Sequence, residues 1–399
     1  MTAARSSEST ESSDSAQLDS IRQAVRALCA KFDDQYWMRL DAAREYPAEF
    51  VAALTASGYL AALIPQDYGG SGLGLREACA VLEEISRCGG HPGACHAQMY
   101  VMGSLLRHGS EAQKRRYLPA IASGELRLQS FAVTEPDSGT DTASLRTFAR
   151  KRGDVYRVSG QKVWTSRVEH SDLMLLLART TPQSQTRKRT DGLSVFIVDL
   201  ARARDNDDGG LTVRPIDAMI NHHACELFFD DLEIPAENRL GAEGDGFRII
   251  LDSMNAERIL IAAECIGDGK FFIDRASAYA RQREVFGRPI GQNQGVQFPI
   301  ARCHVALCAA ELMVIRAARL FDSRSECGAE ANMAKMLASE ASWSAADMCM
   351  EVHGGYAFAR EYHIERKFRE TRLYRTAPIS TNFILSYIAE HVLDLPRSY

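Results

Sequence analysis

The feature that most limits the fold is a change of pattern in mid-chain. Residues 17 to about 128 are helix-patterned: VLEEISRC and EAQKRRYLPAIASG place apolar residues three and four apart. From 129 to about 240 the pattern is strand-like. LMLLLAR (Leu173–Arg179) and LSVFIVDL (Leu193–Leu200) flank the polar loop TTPQSQTRKRTDG, and VYRVSGQKVWT reads as a further hairpin. Long amphipathic patterns then return, from Gly246 to about Gln282 and over about Phe298–Ser323, Ala329–Met350 and Ile379–Leu393. This order predicts an α+β multi-domain chain: a helical domain over 17–128, a small β-barrel or sheet domain over 129–240, and a four-helix bundle over 241–399. No repeat of roughly 20 to 50 residues recurs, which argues against a solenoid.

A net charge of −5 gives no reason to expect nucleic acid or an anionic membrane as partner. No apolar run is read as a membrane span of about 20 residues. The opening MTAARSSESTESSDSAQ lacks the apolar core of a signal peptide and the Arg-rich, acid-poor character of a transit peptide, so residues 1–16 are expected to be a disordered tail. The ten Cys show no CxxC pair. Cys303 and Cys308 fall in an apolar helical pattern and are expected to be buried thiols, and a reducing cytoplasm fits this usage.

Two segments carry the chemistry. FAVTEPDSGTD (Phe131–Asp141) is a turn-rich loop whose Thr134, Ser138, Gly139 and Thr140 offer hydroxyls and close-approaching backbone N–H groups. About two dozen residues on, GQKVWTS (Gly160–Ser166) puts an aromatic face and a hydroxyl on a short β segment. Together they suit a flat, polar-edged ring with a phosphate tail. YGGSGLG (Tyr68–Gly74) is not GxGxxG, and GDGK (Gly267–Lys270) lacks the upstream Gly of a phosphate-binding loop. His222 and His223 are adjacent and poorly placed to share a metal, and His96 and His353 lack acids at ligand spacing. No metal site is expected.

These two segments, with LFFDDLEIPAENRLG (Leu227–Gly241), RQREVFGRPIGQNQ (Arg281–Gln294) and EVHGG (Glu351–Gly355), resemble the acyl-CoA dehydrogenase family of flavoproteins in residues and in order, over roughly residues 20 to 390. The resemblance implies FAD as cofactor and α,β-dehydrogenation of an acyl-CoA thioester to a trans-2-enoyl-CoA. It also implies electrons leaving through an electron-transfer flavoprotein, and a homo-oligomer, dimer or tetramer, in which a neighbouring subunit supplies phosphate contacts. It places Phe131, Val133, Thr134, Gly139, Trp164, Thr165 and Ser166 at the flavin, with the Ser166 hydroxyl near N5. Arg283, Phe286, Gln294, Glu351, Gly354, Gly355, Ser380 and Asn382 fall at the rest of the cofactor, and Thr140 at the pantetheine. Alternatives are a flavin-dependent oxidase or monooxygenase-like relative, and an acyl-CoA- or flavin-binding homologue with little turnover.

The catalytic base is placed at Glu257, in LDSMNAERILIAAECIG, where isovaleryl-CoA and long-chain acyl-CoA dehydrogenases carry theirs. Most members instead carry it in a Tyr-Glu-Gly-Thr segment. The matching stretch here is YRTAPISTN (Tyr374–Asn382), with Pro378 in place of the Glu and Ile379 in place of the Gly. A carboxylate in a dry pocket suits a weakly acidic α-proton, because burial disfavours its ionised form. Arg258 is expected either to hold substrate or to pair with an acid. Pro378 has no N–H, so a backbone donor to the thioester carbonyl at that position is lost. Ile379 N–H, or the Ser380 or Thr376 side chain, could replace it.

Overall fold

The computed structural model describes residues 2–205 and 210–397, with side chains from residue 16 onward; Met1 lies outside the described residues. The chain forms two compact units, one made of Ala43–Leu73 and Gly93–Glu257, the other of Met1–Ala42, Gly74–Pro92 and Arg258–Tyr399.

Ahead of the strands lie α1 (Thr2–Cys29), α2 (Asp34–Ala43), α3 (Ala48–Ala56), α4 (Leu75–Arg87), α5 (Gly93–His108) and α6 (Glu111–Ser123). The Ser-rich segment read as a disordered tail continues as helical backbone from Thr2. Ser, Glu and Ala without Pro or Gly carry only small helix penalties. The amphipathic second half, where Val25, Leu28 and Cys29 are buried, supplies the nucleus from which a helix propagates. α6 starts on a reciprocal cap, with Gln113 N–H donating to Ser110 Oγ at 3.2 Å and Ser110 N–H to Gln113 Oε1 at 3.0 Å. α4 starts where the Asp322 carboxylate accepts the N–H groups of Leu75 (2.7 Å) and Arg76 (3.1 Å).

The strands β1 (Leu128–Ala132), β2 (Phe148–Arg152), β3 (Val155–Ser166), β4 (Leu173–Arg179), β5 (Leu193–Asp199), β6 (Leu211–Pro215), β7 (Ala224–Pro235) and β8 (Arg239–Leu240) make one mixed sheet. Its order is β6-β7-β3-β2-β4-β5-β8, with β1 parallel to β4. β4 explains the uninterrupted LMLLLAR run. Leu173, Leu175 and Leu177 join a core with α5 and α6, while Met174, Leu176 and Ala178 join a second core with Tyr156, Phe196 and Phe229. A strand buried on both faces needs no polar alternation. VYRVSGQKVWT departs from expectation, because it is a single strand. Its hairpin turn lies at Gly153–Asp154, and opposite Ser159 the partner strand β7 bulges, with Asp230 and Asp231 facing one residue of β3. Gly160 has φ +147°, and a Cβ there would stand 2.6 Å from Thr147 Cα. The glycine permits a close approach of strands and does not make a turn.

After the short α7 (Leu200–Asp205), α8 (Gly246–Gln282) runs unbroken across the boundary between the units, and GDGK lies inside it. A short hairpin, β9 (Glu284–Val285) with β10 (Arg288–Pro289), leads to α9 (Gln294–Asp322) and α10 (Gly328–His353). α11 (Ile364–Leu373), a short helix the sequence pattern did not resolve, precedes α12 (Thr381–His391). Ala334, Ala338, Ala341 and Ala345 form a small-residue stripe on the buried face of α10. α9 corrects two expectations. By length and composition it could cross a membrane, contrary to the reading that no segment does. Cys308 is exposed, whereas Cys303 is buried as expected. Both follow from an apolar surface on this helix, where Val305 and Leu312 stand 68% and 70% exposed.

Candidate active site

The loop after β1 is stapled to β3 by a buried ion pair. Lys162 is wholly buried, and its Nζ donates to Glu135 Oε1 at 2.9 Å and to the Val133 carbonyl at 2.8 Å. Glu135 also accepts the N–H groups of Arg146 (2.6 Å) and Thr147 (2.9 Å). Burial opposes ionisation of Glu135, yet the Lys162 ammonium and these donors hold its carboxyl below the usual range. Val163 N–H donates to the Thr134 carbonyl at 2.9 Å, so Val133 and Thr134 are fixed through their backbone. Beyond them, Glu135 and Ser138 exchange backbone hydrogen bonds, and Gly139 and Thr140 stand exposed. A Cβ added at Gly139 would meet nothing within 4 Å, which leaves room for a ligand.

β3 then bulges. Lys162 pairs with Leu227 and Thr165 with Cys225, so β3 carries one residue more than β7 over this stretch. Trp164 occupies the bulge at φ +61° and is 58% exposed, which presents an aromatic face outward. Thr165 is buried, and its Oγ1 has no hydrogen-bond partner among the described residues. Ser166 is half-buried, with its carbonyl accepting Ser130 Oγ at 2.9 Å. An outward indole, an unsatisfied hydroxyl and a backbone loop with open space fit a flat heteroaromatic cofactor such as a flavin.

Glu257 lies half-buried near the middle of α8. Two contacts tie that helix to α5: a Ser104 Oγ–Ser253 Oγ hydrogen bond, and His108 Nε2 with Asp252 Oδ2 at 2.9 Å. The negative charge of Glu257 bears on Tyr100 of α5. The Tyr100 ring packs on Phe131 of β1, with centroids 6.5 Å apart and planes at 30°, and His96 meets it edge-on at 5.1 Å. One unit thus gathers Phe131, Val133, Thr134, Trp164, Thr165, Ser166 and Glu257. Arg248, also on α8, pairs with Asp245 at 2.8 Å.

The other unit holds the remaining candidates in two groups. Arg258 is buried, and its charge and that of Arg375 bear on the wholly buried Lys335. Burial and those two cations pull the Lys335 ammonium down to about 8. Lys335 Nζ donates to the Ile379 carbonyl at 2.7 Å, one residue past Pro378, while the Ile379 N–H donates to no described residue. Ser380 caps α12 without a side-chain hydrogen bond, and Asn382 is exposed. In the second group the Arg283 guanidinium lies over the Tyr356 ring at 5.9 Å, and Tyr279 stacks on His353 at 4.2 Å, so the β9–β10 hairpin and the Gly354–Gly355 turn sit together. Gly354 has φ +59°, and a Cβ at either glycine would meet nothing within 4 Å. Glu351 and Gln294 are exposed, and Phe286 is 99% exposed. A bare guanidinium beside an open glycine turn fits a phosphate group.

Lys162, Glu135, Lys335 and Tyr100 were not singled out from sequence. The Lys162–Glu135 pair could have been suspected from a lysine inside an otherwise β-rich run. Nothing marks Tyr100 in a helix that is apolar on most faces. His222 and His223, read as poorly placed to share a metal, are half-buried. His222 Nδ1 lies 3.2 Å from the Arg167 guanidinium, and His223 packs edge-on to Tyr46 and His170. No group of three metal-ligating side chains occurs among the described residues.

Comparison with known proteins gives concordant results. Three family models match in order: the acyl-CoA dehydrogenase N-terminal domain over residues 15–125, the middle domain over 130–232 and the C-terminal domain over 244–393. The acyl-CoA dehydrogenase FadE12 of Mycobacterium tuberculosis is 33% identical over 391 residues, covering 97% of this chain and 98% of the relative. A glutaryl-coenzyme A dehydrogenase solved with glutaryl-CoA superposes with a TM-score of 0.87 at 31% identity, covering 96% of each chain. Butyryl-CoA dehydrogenase from Megasphaera elsdenii superposes with a TM-score of 0.85 at 26% identity, over 94% of this chain and 98% of that one.

Proposed function

The chain belongs to the acyl-CoA dehydrogenase family of FAD-dependent oxidoreductases, and from that premise we propose that it removes the α-proton and β-hydrogen of an acyl-CoA thioester, giving a trans-2-enoyl-CoA, with Glu257 as the base. The observation that carries the assignment is the half-buried Glu257, whose charge bears on Tyr100, a ring packed on Phe131, in the unit that also presents Trp164. Glu257 takes the α-proton onto a carboxylate oxygen. FAD, when bound, supplies the acceptor for the β-hydrogen as hydride. Trp164, Thr165, Ser166 and the Val133–Thr134 backbone border its ring, and Arg283, Gly354 and Gly355 of a second copy hold its phosphates. Thr140 meets the pantetheine arm.

The vacant donor at Pro378 is replaced by the Ile379 N–H. Support comes from the Lys335 hydrogen bond, which fixes the Ile379 carbonyl while its N–H stays unbonded to described residues. Such a donor, aimed at a developing oxyanion, contributes about 3–4 kcal/mol in rate. Electrons leave to an electron-transfer flavoprotein. The protein works as a homo-oligomer in the cytoplasm. The bare Phe286 next to the phosphate-binding Arg283 supports burial by a second copy, and ten free cysteines suit a reducing compartment. Sedimentation of the FAD-loaded protein as a monomer would remove the oligomer.

Anaerobic bleaching of bound FAD by a panel of acyl-CoA thioesters tests the whole reading. Glu257→Gln should keep the FAD but slow bleaching roughly 10²–10⁴-fold. Bleaching at the wild-type rate rules Glu257 out as the base.

A further inference from the structure

Four tyrosines of the Glu257 unit differ from Tyr100. The hydroxyls of Tyr46, Tyr68, Tyr117 and Tyr156 each donate to a side-chain oxygen, at 2.8, 2.8, 3.3 and 2.7 Å. The Tyr100 hydroxyl donates to no described residue, although its ring is held between Phe131 and the edge of His96. Tyr100 is half-buried, so its hydroxyl, bonded to no described residue, is open to a guest that enters beside it.

The position says what arrives. Tyr100 lies one turn before Ser104 on α5 and Glu257 one turn after Ser253 on α8, and Ser104 and Ser253 are hydrogen-bonded, so the two side chains share one end of this helix contact and the Glu257 charge bears on the phenol. A base that removes an α-proton has the acyl carbons beyond Cβ passing its immediate neighbours. We infer that Tyr100 is a specificity residue: its hydroxyl donates to an oxygen carried on the acyl tail, so the preferred thioesters bear a hydroxyl, keto or carboxylate oxygen beyond Cβ instead of a plain hydrocarbon chain. This rests on the assignment of Glu257 as the base.

The surroundings agree. Burial first, and then the Glu257 charge, hold the phenol well above its usual range, so it remains a protonated donor at neutral pH. A plain alkyl tail would cover the hydroxyl without bonding it, which is how a site built for a polar group rejects its apolar analogue.

The test compares hexanoyl-CoA with 5-oxohexanoyl-CoA, equal in chain length, as reductants of the FAD-loaded wild-type protein and of Tyr100→Phe. The expected result is a kcat/KM ratio in favour of the oxo thioester, narrowed about tenfold by Tyr100→Phe, the equivalent of one ordinary hydrogen bond. A wild-type preference for hexanoyl-CoA overturns the inference without any variant and leaves the base assignment standing. So does a ratio that Tyr100→Phe fails to change. If neither thioester nor any other acyl-CoA reduces the flavin, the dehydrogenase reading falls and this one falls with it.

Discussion

Replacing Lys162 with Met should unfasten the loop that is proposed to border the flavin. The substitution removes two hydrogen bonds, to Val133 O and Glu135 Oε1, and fills the space with a side chain of similar length. Glu135 stays buried with only the N–H groups of Arg146 and Thr147 to support its charge. Removing one partner of a buried pair costs about 3–5 kcal/mol, because the other charge is left uncompensated. In a unit of about 200 residues, each kcal/mol lowers the melting temperature by roughly 2–4 °C. The expected drop is therefore about 10 °C. Adding Glu135→Gln should return at least about 2 kcal/mol of it, since no stranded charge remains. Thermal melts by near-ultraviolet circular dichroism give the stability, and the 450 nm absorbance per polypeptide gives FAD retention, which should fall in Lys162→Met. The reasoning fails if Lys162→Met melts within about 2 °C of wild type, or if the double variant is no more stable than the single one.

Ile379→Pro should slow the reductive half-reaction by about two orders of magnitude or more while FAD remains bound, measured by anaerobic stopped flow; an unchanged rate excludes the Ile379 N–H as the carbonyl donor. Lys335 supplies a pH signature. Its ammonium is pulled down to about 8 in the fold, so between there and the ordinary lysine value of 10.5 the unfolded chain binds more protons, and stability rises with pH. The wild-type melting temperature relative to Lys335→Met should accordingly climb from about pH 8 to pH 10; a flat difference would show that Lys335 is not buried as a cation.

The helix–sheet–helix order was legible because long periodic segments report their burial directly: α8, Gly246–Gln282, was read from Gly246 to about Gln282. β4 and β5 were legible as apolar runs between turn signals. The misreadings share a cause. Ser159–Gly160 carries turn residues, but the glycine serves a close approach to Thr147 that lies far away in sequence. Cys308 sits in an apolar pattern whose face is exposed. The loop and β3 motifs could be seen as a pair, whereas the Lys162–Glu135 contact that joins them spans 27 residues, and the lone lysine in β3 does not say which acid it meets. Tyr100 lies deeper still, since its meaning comes from Glu257 on another helix.

The extra residue at Trp164 decides the parity of β3. Strand neighbours alternate sides, so two positions three apart ordinarily face opposite ways. Lys162 and Thr165 nonetheless both point inward, because the bulge absorbs the odd count. Deleting one residue between them would restore strict alternation and turn one of the two outward. One strand can therefore anchor the loop from beneath and still present an inward hydroxyl next to an outward indole. A single codon lost from this stretch would do more damage than many substitutions within it.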